Sequence, residues 1–287
     1  MNSTAKRAQF RKILAGSRCV FPASTFDPIS ARIAEDLGFE TAMLAGSVAS
    51  LTVLGAPDIV LLTLSEFAEQ SRRICRATSL PLLVDADHGY GNALNVKRTV
   101  EELEAAGVSA LTIEDTLLPL AYRGDDRQLI SLEEGVGKMR AALAGRRDPA
   151  LVVIGRTSAL AITDREDAAR RIDAYEAVGV DAIFLGGLRK REELDWIAGK
   201  TKLPLVLGGV PADMQDLDYL SSRGVRVSVQ SHNPFAAAVE AVQRALKSLR
   251  DGVKPAAMAD IASPDLMKRV TRQADYTNWT KEFLGVG

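Results

Sequence analysis

The sequence predicts an α/β protein built as a (β/α)₈ TIM barrel, and three observations carry that reading. Short apolar runs recur along the 287 residues, with helix-length segments between them. The runs are apolar throughout and do not alternate, the pattern of parallel strands covered on both faces. Their entries are marked by glycine and proline in turn. Helix-then-glycine junctions occur at Leu37-Gly38-Phe39, Ala106-Gly107-Val108, Val178-Gly179-Val180 and Arg223-Gly224-Val225. Glycine there suits the left-handed residue that ends a helix. Pro81, Pro149 and Pro204 introduce the runs at 82–84, 151–154 and 205–207. Proline at the start of a strand removes a donor before the ladder has begun.

With Cys19-Val20-Phe21 as the first strand, eight strands result, glycine-led and proline-led alternately after the first. Between them, Val96, Val100 and Leu103 fall at i, i+4, i+7, as do Ala168, Ile172 and Tyr175, which is helix spacing. An open doubly wound sheet would favour a Gly-x-Gly-x-x-Gly turn after the first strand, and none is present. No Ser/Gly linker divides the chain, so residues 1–249 read as one barrel domain and 250–287 as its helical tail. Leu266, Val270, Trp279 and Phe283 make that tail too apolar for a disordered end. They either dock on a partner subunit or pack on their own barrel.

Charge and composition exclude several classes. With 36 basic and 37 acidic residues the net charge is −1, which argues against nucleic acid or an anionic membrane as partner. The longest uncharged stretch, residues 41–57, is broken by Gly, Ser and Thr and does not suit a membrane span. The N-terminal residues lack the apolar core of a secretory signal, and Cys19 and Cys75 lack metal-site spacing. A soluble protein of the reducing cytoplasm is expected.

The chemistry gathers where strands end. In an α/β barrel the carboxyl ends of the strands form the catalytic mouth. Asp85 and Asp87 follow the third strand and Glu114 ends the fourth. One acid at a strand end often only caps the next helix; three on adjacent strands, without clustered cysteine or histidine, suit a hard cation such as Mg²⁺. Gly46-Ser47, after strand two, offers a hydroxyl and backbone N–H groups to an anion. Arg156, after strand five, is a fixed fork for a carboxylate, or else a structural ion pair. His232, after strand eight, can move a proton near neutral pH or simply pack. His88 reads as shaping the turn, and Asp58 as a turn residue after Gly55-Ala56-Pro57.

Together Gly46-Ser47, Gly55-Ala56-Pro57-Asp58, Asp85-Ala86-Asp87-His88-Gly89-Tyr90-Gly91, Leu111-Thr112-Ile113-Glu114-Asp115 and Gly155-Arg156-Thr157 resemble the isocitrate lyase/phosphoenolpyruvate mutase superfamily. The resemblance implies Mg²⁺, or Mn²⁺ in its place, on Asp85, Asp87 and Glu114. It implies an α-oxo acid substrate contacted by Gly46, Ser47, Asp58, Arg156 and His232. It also implies a homotetramer, a dimer of dimers in which C-terminal helices are exchanged between subunits. Lyase members carry Lys-x-Cys-Gly-His in the loop after Glu114, and phosphonate mutases carry Lys and Asn-Ser. The loop 116–130 here has none of these groups and no histidine.

The stretch from Asp85 to Val96, Glu134-Gly135-Val136-Gly137-Lys138-Met139-Arg140 and His232 resemble the oxaloacetate decarboxylase subgroup. The resemblance implies Mg-dependent loss of CO₂ from oxaloacetate to give pyruvate through a metal-stabilised enolate, with Arg156 and His232 as the catalytic side chains. The chain departs from the subgroup at Gly209-Val210, where a tyrosine is expected, so the contacts to the far end of the substrate are left open. The alternatives are a C–C bond lyase acting on another 2-hydroxy or 2-oxo acid, and a non-catalytic oxo-acid-binding protein.

Overall fold

The computed structural model describes residues 2–124 and 127–285. The chain divides into two compact units, one ending at His232 and one beginning at Asn233.

The first unit carries eight strands: β1 (Ala23–Ser24), β2 (Ala42–Leu44), β3 (Leu82–Asp85), β4 (Ala110–Glu114), β5 (Val152–Thr157), β6 (Ala182–Leu185), β7 (Leu205–Leu207) and β8 (Val225–Ser228). Each pairs in parallel with the next, in the order β1 to β8. The run curls back on itself at Val20, which bridges to Val227 of β8. The Val20 N–H donates to the Arg226 carbonyl and the Ser228 N–H to the Val20 carbonyl, both at 3.0 Å. The predicted parallel α/β barrel is therefore the architecture observed.

The first strand differs from expectation. Cys19-Val20-Phe21 does not form it; the ladder with β2 begins at Ala23, paired with Ala42. Pro22 separates the two stretches and has no N–H to give. Val20 therefore meets β8, while Ala23 and Ser24 meet β2.

The helices sit where the apolar spacing puts them. Val96, Val100 and Leu103 of the helix Ala93–Ala105 are fully buried, as are Ala168, Ile172 and Tyr175 of the helix Arg165–Val178. The glycine junctions take the left-handed backbone, with φ of 81° at Gly38, 93° at Gly107, 98° at Gly179 and 78° at Gly224. The helix Ala93–Ala105 is capped by Asn92, whose side chain accepts from the Leu94 and Asn95 N–H groups. That cap fixes the chain immediately after the acidic turn at 85–91.

The second unit holds the helices Asn233–Arg250, Pro264–Val270 and Gln273–Leu284. The expected boundary at 249/250 lies in the last turn of the first of these. Along it Val239, Val242, Leu246 and Leu249 are exposed, and no residue of the helix is buried. Trp279 and Phe283 are exposed as well, whereas Val270 is buried.

Candidate active site

β3 ends on Asp85, β4 ends on Glu114, and β5 runs through Arg156. The parallel register sets Glu114 directly beside Arg156. Arg156 consequently spans two acids, with Nη1 at 2.5 Å from Asp85 Oδ2 and Nη2 at 3.1 Å from Glu114 Oε2. The Phe184 ring lies 5.1 Å from the guanidinium carbon and supports its plane. Arg156 Nε is buried and, among the described residues, has no hydrogen-bond partner. Burial works against the arginine's charge, but the Asp85 and Glu114 carboxylates outweigh it and hold the group protonated.

Asp87 reaches the site from the turn that follows. Its φ of 48° is unusual for a residue with a side chain. The turn is pinned from several sides. The Glu114 N–H donates to the Asp87 carbonyl at 2.9 Å, Lys138 Nζ to the His88 carbonyl at 3.0 Å and Thr99 Oγ1 to the Gly89 carbonyl at 3.0 Å. Thr112 Oγ1 donates to Asp85 Oδ1 at 2.9 Å. The Asp87 carboxyl fills the space that Gly46 leaves, since a Cβ at position 46 would stand 2.7 Å from Asp87 Oδ1.

Charge is out of balance here. Burial, then the neighbouring Asp85, Glu114 and Asp58 carboxylates, push Asp87 up to about 8. Glu114 is raised by burial, with Arg156 opposing, and Asp58 is raised by burial and by Asp85. Asp85, Asp87 and Glu114 against the one Arg156 guanidinium leave an excess of two negative charges when all are ionised, and Asp58 adds a third. That excess and an all-oxygen donor set fit a hard divalent cation. Among the described residues, no three acids stand together as a ready ligand cage. Arg156 holds two of them, and Mg²⁺ binds through one or two carboxylates while keeping its waters. The donor set thus fits the expected ion.

Opposite the acids, His232 Nδ1 lies 2.9 Å from Ser24 Oγ at the end of β1. Burial lowers its pKa, against the pull of Asp85 and Asp58. Ser47 stands in the first turn of the helix Gly46–Leu54, on the side of β2. The structure thus brings Gly46, Asp85, Asp87, Glu114 and Arg156 together and sets Asp58 and His232 within electrostatic reach of Asp85. His88 is buried in the same turn; burial pushes its pKa down to about 4, and its carbonyl accepts from Lys138.

A model of the family described as phosphoenolpyruvate phosphomutase matches residues 10–250. The chain belongs to that family. Its fold matches a phosphonopyruvate hydrolase solved with oxalate and Mg²⁺, with a TM-score of 0.85, 30% identity and coverage of 99% of this chain and 100% of the other. It also matches an oxaloacetate acetylhydrolase solved with its product oxalate, with a TM-score of 0.86, 25% identity and 99% of both chains covered. Among sequences, an oxaloacetate decarboxylase of Rhodopseudomonas palustris (strain BisB5) is 58% identical over 281 residues, 98% of this chain and 97% of that one. One of Bradyrhizobium sp. (strain ORS 278) is 56% identical over 287 residues, the full length of both.

Sequence reasoning missed four supports of this family member's site: Ser24, Phe184, Thr112 and Lys138. Thr112 had a signal, a polar residue two before Glu114 in an otherwise apolar strand and so on the same face. Lys138 stood in the Glu134–Arg140 stretch that carries the resemblance, without a role of its own. Ser24 had none. In the loop 116–130, residues 125 and 126 lie outside the described residues; Thr116 pairs with Leu129 at its stem.

Proposed function

We propose that the chain catalyses divalent-cation-dependent decarboxylation of an α-oxo dicarboxylic acid, oxaloacetate to pyruvate and CO₂. The observation that carries this reading is the buried Arg156 bridging Asp85 and Glu114, with Asp87 beside them and, among the described residues, no hydrogen-bond partner for Arg156 Nε. Whole-length identity to decarboxylases of oxaloacetate supports the substrate. Asp85, Asp87 and Glu114, directly or through water, would hold Mg²⁺, or Mn²⁺ in its place, which would supply Lewis-acid stabilisation of the negative charge that develops on the substrate.

The protein's own groups do the rest. Arg156, supported on Phe184, orients a substrate carboxylate, with its free Nε as one donor. Gly46 and Ser47 present N–H groups and a hydroxyl to the same end of the substrate. Asp58, whose carboxyl is raised by burial and by the nearby Asp85, contributes a further polar contact to the substrate. Cleavage of C3–C4 releases CO₂ and sends its electron pair into a C2–C3 double bond as the C2 carbonyl π pair moves onto oxygen; protonation at C3 then re-forms the carbonyl and gives pyruvate. His232 faces this region with Nδ1 engaged by Ser24, so Nε2 is the nitrogen that handles the C4 carboxylate or that proton. Nothing in the loop 116–130 supplies the cysteine or lysine of the lyases and mutases, and decarboxylation needs neither.

The assay is direct: purified protein with oxaloacetate and Mg²⁺, following pyruvate, then the same with EDTA and with Asp85→Ala. Turnover without metal, or full activity in Asp85→Ala, would sink the assignment. Likeness to an oxaloacetate acetylhydrolase favours one second reading, a C–C cleavage of the same substrate. Appearance of oxalate and acetate in place of pyruvate would establish it.

We further place the working protein in the cytoplasm as a homotetramer whose C-terminal helices are exchanged between subunits, with residues 1–249 as the catalytic barrel and 250–287 at an interface. Two buried free cysteines suit a reducing compartment. The exposed apolar residues Val239, Val242, Leu246 and Leu249 suit burial against a second copy.

A further inference from the structure

The reaction above leaves Asp115 without a part, although it is wholly buried next to Glu114. Its carboxylate faces the helix Arg165–Val178, not the site. Tyr175 Oη donates to Asp115 Oδ2 at 2.8 Å and Arg171 Nη1 to the same oxygen at 3.1 Å. The second arm of the Arg171 fork, Nη2, donates to the Ile130 carbonyl at 3.0 Å. The Ile130 N–H returns to the Asp115 carbonyl at 2.9 Å, and the Leu117 N–H donates to the Gln128 carbonyl at 2.8 Å. One guanidinium thus grips the point where the 116–130 segment leaves the barrel and the point where it returns. The Asp115 N–H also donates to the Arg156 carbonyl at 3.3 Å, which ties the clamp to β5.

The surroundings are shaped for this contact. A Cβ at Gly135 would stand 2.4 Å from Tyr175 Oη, and one at Gly155 would stand 3.1 Å from the Tyr175 ring. Two glycines therefore clear the path by which a buried phenol reaches Asp115. A buried ion pair adds little stability over apolar packing of the same volume. Its geometry is what distinguishes it, and that geometry bears on the residues flanking Glu114 and Arg156.

We propose that Arg171 and Tyr175 are positioning residues which, through Asp115, fix both stems of the 116–130 segment and with them the aim of Glu114 and Arg156. The consequence for turnover rests on the function proposed above; the clamp itself does not.

The test uses Arg171→Lys, which keeps the charge and loses the fork, Tyr175→Phe, which loses one hydrogen bond, and Gly135→Ala, which displaces the phenol. Cleavage by trypsin at the exposed Arg123 and Arg127 is compared with cleavage at the exposed Arg18 in the metal-free protein. Binding of oxalate with Mg²⁺ is measured by calorimetry, and KM and kcat with oxaloacetate. Loss of a support around a metal site typically weakens metal binding by about tenfold or more, and a drop of that order is expected in the Mg²⁺-dependent affinity for oxalate. Cleavage at Arg123 and Arg127 is expected to rise relative to Arg18, with a larger change in KM than in kcat. Unchanged cleavage ratios and unchanged oxalate affinity in the folded variants would overturn the proposal, as would an equal rise at all three sites. If the native protein fails to turn over oxaloacetate while cleavage and oxalate binding respond as stated, the substrate assignment falls and the clamp stands.

Discussion

Asp87 and Arg156 carry opposite halves of the site's electrostatics. Asp87 favours its proton in the folded protein up to about 8, whereas an unfolded aspartate ionises near 3.8. Between those values the folded chain binds more protons than the unfolded one, so stability without a divalent cation falls as pH rises through that window. Mg²⁺ relieves the repulsion, and its stabilising effect therefore grows with pH. Thermal unfolding at pH 6 and pH 8, with and without Mg²⁺, measures this; a larger metal effect at pH 6 would contradict it. Gly46 is the position where the same carboxyl tolerates least. Gly46→Ala would drive a methyl against Asp87 Oδ1 and is expected to lower oxaloacetate turnover by at least about tenfold, with the helical circular dichroism retained. At this scale Asp85 and Glu114 were legible because each closes an apolar strand, and Asp87 because it follows Asp85 by two residues. Ser24 and Phe184 were not, because their roles arise only when β1 meets the β8 end and β6 meets β5.

Among the elements, helix spacing and strand entry were readable because each rests on local backbone chemistry. A left-handed glycine closes a helix, and a proline opens a strand. The first strand escaped that logic because Pro22 splits it into two stretches with different neighbours. The helix Ala93–Ala105 shows how an element serves the site. Its buried face locks it to the barrel, and its Asn92 cap ends the acidic turn. Leu103→Ala, at a fully buried position, is expected to cost about 2–5 kcal/mol. Urea unfolding followed by tryptophan fluorescence would report it as a lower midpoint with little change in slope. A loss under about 1 kcal/mol would mean that the helix is held by other contacts.

For the molecule as a whole, no sequence pattern distinguished a tail docked on a partner from one packed at home, since both demand the same apolar residues. Val239, Val242, Leu246 and Leu249 recur at helical spacing and are exposed within the Asn233–Arg250 helix. If they form a subunit contact, Val242→Glu with Leu246→Glu will lower the mass measured by light scattering on size-exclusion chromatography. An unchanged mass would remove the helix from the interface.

The bridge between Val20 and Val227 bears on how the chain reaches this state. Every ladder from β1 to β8 joins neighbours along the sequence, so the sheet can grow by adding one strand at a time as the chain emerges. Among the strand pairings of the described residues, the Val20 bridge is the one that spans nearly the full length of the first unit. Joining such distant segments carries the largest loop-closure entropy and comes late unless strong contacts draw it forward. Until then β8 and the Val20 segment both present unpaired backbone edges, where pairing with another chain competes with ring closure. A substitution that weakens that seam would thus act first on the yield of folding, before any effect on the finished site.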